Sequence, residues 1–171
     1  MKTIEINLYK FRELGEDAKQ KALEKLYDIN VSFDWWDGMY EDAKRIGLRI
    51  TGFELDRRRG ADGEFTLSAC EVAQNILNEH GETCETFQTA TDFLHDWQPV
   101  FNNYIDETHE SFESYEAEQT MLEMEDEFLK SLLEDYSIML QNESEYLMSE
   151  EAVVETIESN DYDFTVNGEI H

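Results

Sequence analysis

Apolar residues recur along this chain with two different periods. Near the N-terminus Ile4, Ile6 and Leu8 alternate with polar neighbours over residues 2–11, the period-2 pattern of a half-buried strand. Residues 16–28 then place Ala18, Ala22, Leu23 and Leu26 at helical spacing behind Glu16 and Asp17, where carboxylates favour the helix dipole. A second helix is predicted over 33–46, stopped by Gly47 as its C′ residue. LRITGFELD (48–56) alternates again, through Leu48 and Ile50 and then Phe53 or Leu55. RRRGADG reads as a flexible connection and GEFTLSA as the returning strand of a hairpin. Ser68 followed by Glu71 has the capping-box spacing and opens a helix that runs to His80 and stops at Gly81.

From residue 88 to 158 the pattern is almost wholly helical. Pro99 is placed in the first turn of a new helix after Trp97, where its missing N–H costs nothing. Met121, Met124, Phe128, Leu132, Tyr136 and Met139 form an apolar stripe with acids on the other faces. Ser149 starts a short helix through Glu158, and Asn160-Asp161 turns the chain into YDFTVNGEI, whose Tyr162, Phe164 and Val166 alternate. That last strand is expected to return to the N-terminal one. The predicted fold is therefore α+β, a single domain over 1–171. It has a small antiparallel sheet of about four strands (N-terminal strand, central hairpin, C-terminal strand) packed with helices, and residues 88–158 form an acidic helical insertion.

Composition supports a packed core, because 40% hydrophobic and 12% aromatic residues exceed what a disordered acidic segment carries. No apolar run approaches the length that spans a bilayer, and MKTIEINLYKF lacks the apolar stretch of a signal peptide. Cys70 and Cys84 stand outside any CxxC pairing and are read as reduced, buried thiols of a cytoplasmic protein.

Charge changes the picture most. Residues 1–59 hold 12 of the 13 basic residues and 12 acids, whereas residues 60–171 hold 29 acids against Lys130 alone. The net charge of −28 thus falls on the C-terminal two-thirds. Residues 99–151 carry 16 acids and one lysine. Folded back as an antiparallel helical pair, at about 1.5 Å per residue, they would carry one net charge per about 2.7 Å. Duplex DNA carries one per about 1.7 Å and each strand one per about 3.4 Å. Such a density is costly, since Glu123 with Glu127 at i,i+4 repel one another, and a surface without a functional demand mixes in Lys and Arg.

Other constellations point to less. Asp92-x-x-His95 and Asp106-x-x-His109 have a metal-ligand spacing, but acids are frequent enough here to create it by chance, and both are read as solvated surface. No twelve-residue calcium loop, Gly-rich phosphate loop, GxSxG or HExxH occurs. The chain is accordingly expected to be no enzyme, with no catalytic residues, metal or cofactor. Trp35 and Trp36 are expected on different helix faces, one in the core and one half-exposed, and Arg57-Arg58-Arg59 is the single basic cluster.

Tyr9–Leu14 (YKFREL), Ala18–Lys25 (AKQKALEK), Asp34-Trp35-Trp36, Ile46–Asp56 (IGLRITGFELD) and Phe164–Gly168 (FTVNG) together resemble a small family of acidic proteins common in phage and prophage genomes. The resemblance touches both ends of the chain and carries no active-site residue with it. It implies a mobile-element setting, in which compact acidic proteins often inhibit host DNA-binding defences, as anti-CRISPR and antirestriction proteins do.

Charge and resemblance combine into one expectation. The chain is a phage-encoded inhibitor acting in the host cytoplasm as an acidic nucleic-acid mimic. It would occupy the basic DNA- or RNA-binding groove of a host nuclease or CRISPR effector, with no direct nucleic-acid or membrane contact. The expected surface is Glu107, Glu110, Glu113, Glu116, Glu123, Asp126, Glu127, Glu134 and Asp135. The oligomeric state is left open, a dimer included. The alternative is an adaptor that binds through Trp36 and Arg57–Arg59, its acids serving solubility.

Overall fold

The computed structural model describes residues 6–57, 59–106 and 112–171, with the side chains of Asp106 and of residues 112–114 excepted. Its elements are β1 (Tyr9–Lys10), α1 (Glu16–Leu26), α2 (Asp37–Ile46), β2 (Leu48–Glu54), β3 (Gly60–Phe65), α3 (Ala69–Glu79), α4 (Glu85–Asp106), α5 (Phe112–Leu147), α6 (Glu150–Ser159) and β4 (Asp163–Phe164). The class is α+β, 65% helical. Among the described residues the four strands form two separate antiparallel pairs, β1 with β4 and β2 with β3, and not the one sheet expected. Alternation marks which face of a strand is buried and leaves its partner unspecified. Contacts group the chain into two compact units, residues 36–141 and residues 1–35 with 142–171.

In the larger unit, α2 ends at Gly47, whose φ of +94° lets its N–H turn back to the Ala43 and Lys44 carbonyls. The helix begins at Asp37 and not at residue 33: Trp36 is its N-cap, and Trp35 donates its N–H to the Phe33 carbonyl in the preceding turn. The hairpin begins its return at Gly60, earlier than expected, so only a short connection separates the strands. A register shift between Ile50 and Gly52 makes a bulge. Leu48 and Ile50 face the core before it, and after it the phase changes so that Phe53 meets Trp36 and Tyr40 edge-on, at ring-centroid distances of 5.5 and 6.3 Å. Opposite Ile50 stands Gly63, where an added Cβ would come within 2.9 Å of Leu133 on α5 and 2.6 Å of the Arg49 carbonyl. The missing side chain is what lets the helix lie against the hairpin.

α3 opens on the expected capping box, with the Ser68 hydroxyl accepting from the Glu71 N–H and the Glu71 carboxylate accepting from the Ser68 N–H. Its Val72, Ala73 and Ile76 are completely buried. Pro99 lies inside α4 and does not start a helix. An internal proline removes a hydrogen bond and costs about 3 kcal/mol. Here an aromatic ladder bridges it: Phe93 and Trp97 lie 6.3 Å apart, and Trp97 stacks on Phe101 at 4.6 Å. On α5 the buried row is Phe128, Leu132, Tyr136 and Leu140. Met139, expected in that stripe, is partly exposed, and the buried row continues at its spacing of four to Leu140 instead.

The smaller unit pairs Tyr9 with Phe164 and Lys10 with Asp163. Both strands are only two residues long, since the chain enters a 3-10 turn at Phe11 and the C-terminal segment turns at Thr165–Gly168. Val166 accordingly faces solvent. Phe11, Leu14, Ala18, Ala22, Val153, Ile157 and Phe164 make its core. Buried Asn30 ties the middle of this unit together, donating to the Leu147 carbonyl at 3.0 Å and accepting from the Thr156 hydroxyl at 2.7 Å. The Ser149 hydroxyl caps α6 as expected, accepting from the Ala152 N–H at 3.3 Å.

Candidate acidic interface on the helical pair

Side chains of α4 and α5 meet in an antiparallel order. The Thr89 hydroxyl donates to Asp135 at 2.7 Å, and Phe93 stacks on Phe128 at 4.2 Å with planes 6° apart. The partner of α5 is thus α4, which begins well before residue 99. Four acids on α4 and eleven on α5, against Lys130, give the pair a net −14. Spread over the roughly 54 Å of α5, that is one charge per about 3.9 Å. The density is lower than the one expected for residues 99–151 folded on themselves, and it matches one nucleic-acid strand better than a duplex.

Of the nine acids singled out in the sequence, Glu107 and Glu110 lie outside the described residues, as does the side chain of Glu113. Glu116, Glu123, Glu127 and Glu134 are exposed and separated by seven, four and seven residues. Those intervals are close to whole turns, so the four fall on one face of α5, opposite the Phe128–Leu132–Tyr136 row. They form a line about 27 Å long. Asp126 is exposed on the flank of that line, beyond Glu123 and Lys130.

Asp135 is half-buried, and burial pushes its carboxyl up from the usual range against the opposing Thr89 hydrogen bond. Burial also raises Glu125. A carboxyl raised in the folded state binds protons that the unfolded chain releases, so stability grows as pH falls through that folded value. Glu158 and Glu71 are lowered, by Arg12 and by Ser68 respectively. Their contribution is present above the unfolded carboxylate value and lost as pH falls through the lowered one. Melting temperature is therefore expected to rise on acidification from neutrality to about pH 5 and to fall in stronger acid. In the Asp135→Asn variant, whose amide oxygen still accepts from Thr89, the neutral-pH melting temperature should rise and part of the acid-side gain should vanish. An unchanged pH profile in that variant would exclude Asp135 as a source.

A polar cluster that the sequence did not announce lies beneath α5. The Tyr136 hydroxyl, wholly buried, donates to Asp42 at 2.8 Å, and Arg45 donates to the other carboxylate oxygen of Asp42 at 2.6 Å. His80 places Nε2 3.4 Å from Asp42 and Nδ1 2.7 Å from the Thr86 hydroxyl. Hydroxyl, imidazole and carboxylate in that order are the groups of nucleophilic catalysis. Thr86, however, is only 2% exposed, so no substrate reaches its oxygen, and the cluster serves to pin α2 and the α3–α4 turn to α5. No local motif could have shown it, because its members lie up to 94 residues apart.

The remaining candidates are also placed. His95 bonds only its neighbour Asp96, at 2.8 Å, on an exposed surface; His109 is outside the described residues. Among the described residues no three His, Cys, Asp or Glu side chains converge on a metal position. Both cysteines are free; Cys70 is half-buried, its thiol pushed up by burial, and Cys84 is exposed, not buried as expected. Trp36 is half-buried against Phe53, Arg57 and Arg59 are exposed, and Arg58 is not described. No described helix is long and apolar enough to cross a membrane.

The charge asymmetry of the sequence is partly undone in the fold. In the smaller unit Arg12 pairs with Glu158, Lys10 with Asp161 and Asp163, and Lys25 with Glu169. Counted by unit, the smaller one carries −10 and the larger −18. The basic residues of the N-terminal segment are thus spent in part on C-terminal acids, while the helical pair contains Lys130 as its one basic residue. No protein-family model, curated protein or solved structure matches this chain.

Proposed function

We propose that the α4–α5 pair is an acidic decoy: a rigid, exposed line of carboxylates that occupies the basic nucleic-acid-binding groove of another protein and excludes its DNA or RNA. The observation that carries this reading is the line Glu116–Glu123–Glu127–Glu134, four exposed carboxylates on one helix face for which no ion pair is formed among the described residues. Taken with the other acids of α4 and α5, it belongs to a pair whose linear charge density resembles that of one nucleic-acid strand. Unlike a flexible acidic tail, its Glu127–Glu134 part lies on a stretch of α5 packed on α4 and on the hairpin through Met124, Phe128 and Leu132, so little ordering entropy is lost there on binding. The activity is competitive exclusion, with no turnover and no cofactor. The resemblance to phage and prophage proteins suggests a host nuclease or CRISPR effector as the target, met in the host cytoplasm.

The test is displacement of a labelled oligonucleotide from purified host nucleases and CRISPR effectors, read by fluorescence anisotropy. The wild-type chain is expected to displace it with strong salt dependence. The variant E116K/E123K/E127K/E134K should lose displacement by more than about a hundredfold while keeping its circular dichroism. Displacement that survives the four reversals would rule the decoy out.

A further inference from the structure

Beside the carboxylate line, α4 and α5 enclose a groove of about 310 Å³ lined by Thr89, Asp92, Phe93, Asp96, Met124, Glu127, Phe128 and Ser131. Its floor is apolar, formed by the stacked Phe93 and Phe128 rings and the Met124 thioether. Its rim is acidic, with Asp92 and Asp96 one turn apart on α4 and Glu127 across from them on α5. None of these three carboxylates is paired with a lysine or arginine among the described residues. Asp92 is instead steadied by Gln88 at 2.7 Å and Asp96 by His95 at 2.8 Å. Each bond is to one oxygen and leaves the other available.

We propose that this groove is the seat of an arginine side chain from the basic partner, the aliphatic stem lying on the Phe93–Phe128–Met124 floor and the guanidinium bridging the carboxylate rim. The inference deepens the decoy reading and rests on it. Charge complementarity selects a cation, since an acid or a neutral chain entering here would leave three carboxylates uncompensated. The apolar floor selects a cation with a hydrocarbon stem, because long basic side chains bury their methylenes and keep the charged head at the rim. Carboxylates on two sides select arginine over lysine. A planar guanidinium offers five donors in a fixed fork and can serve both walls at once, whereas an ammonium is a strongly hydrated point charge. Glu127 belongs to both the groove and the exposed line, so an arginine seated here anchors a partner whose other cations run along α5.

The test uses the full isotope-labelled chain and two blocked peptides of equal charge, hexa-arginine and hexa-lysine, titrated by NMR. The arginine peptide is expected to shift the amides of Asp92, Asp96 and Glu127 saturably and to bind about five- to tenfold tighter than the lysine peptide. The D92N/D96N variant, both positions exposed and so tolerant, should lose that preference. The variant E116Q/E134Q, equal in charge change but outside the groove, should weaken both peptides alike and keep it. Equal affinity of the two peptides, or a preference that survives D92N/D96N, would overturn the groove assignment. Either result leaves the decoy reading to its own displacement test, which depends on the carboxylate line and not on arginine selectivity.

Discussion

Replacing Tyr136 by alanine is expected to lower the unfolding free energy by about 3–5 kcal/mol, the range for removing a large aromatic side chain from a core. Tyr136 has no exposed surface and sits in the same cluster as Ile46, Ile76 and Leu132. It is also the roof of the Asp42 cluster, so truncation leaves the carboxylate with Arg45 but without its buried hydroxyl donor. Burial, and then the bond to Asp42, push the phenol far above its usual range, so it remains a donor across the whole working pH range. Tyr136→Phe keeps the ring and removes only the hydroxyl, and should cost about 1–2 kcal/mol. Urea denaturation of the two variants separates packing from hydrogen bonding. Equal losses in both would mean that ring packing contributes nothing, contrary to its complete burial.

The second large effect is expected at Gly168, whose φ is +79°. A Cβ there would lie 2.1 Å from the Ala18 carbonyl oxygen and 2.9 Å from its carbon. Left-handed backbone costs an alanine about 1–2 kcal/mol by itself. The clash adds to this, because its partner is helix backbone that cannot rotate away. We expect Gly168→Ala to destabilise the smaller unit by about 3 kcal/mol or more. The turn from Thr165 to Glu169 should lift from α1 and loosen the pairing of Phe164 with Tyr9. Hydrogen exchange reads this directly: the Gly168 and Glu169 amides, bonded to the Thr165 carbonyl and hydroxyl, should lose protection before those of α3. Unchanged exchange in that turn would show that the backbone accommodates the methyl.

Helix ends were the most legible part of the fold, and for a local reason. Ser68 with Glu71, Ser149 ahead of α6 and Gly47 after α2 each act through hydrogen bonds or a φ value within one turn of the residue itself. Pro99 misled because its local cost is outweighed by Phe93, Trp97 and Phe101 stacking along α4. Phe53 and Leu55 could not be told apart by alternation, since the bulge that selects Phe53 depends on the register of β2 against β3. The strands were visible as amphipathic segments, but their division into two pairs was not.

For the candidate interface, the sequence by itself determined composition and linear charge: many acids, one lysine, and a helical period that makes Glu116, Glu123, Glu127 and Glu134 a line. Those properties follow from residue identity and the 3.6-residue turn, and no folding can remove them. Only the tertiary structure decided which acids stay free. It turned Asp135 toward Thr89, paired C-terminal acids with Lys10, Arg12 and Lys25, and set Asp92 and Asp96 across from Glu127 above an apolar floor. Such pairings join residues that are remote along the chain. They are set by how the buried faces of the elements fit together, which local periodicity does not encode.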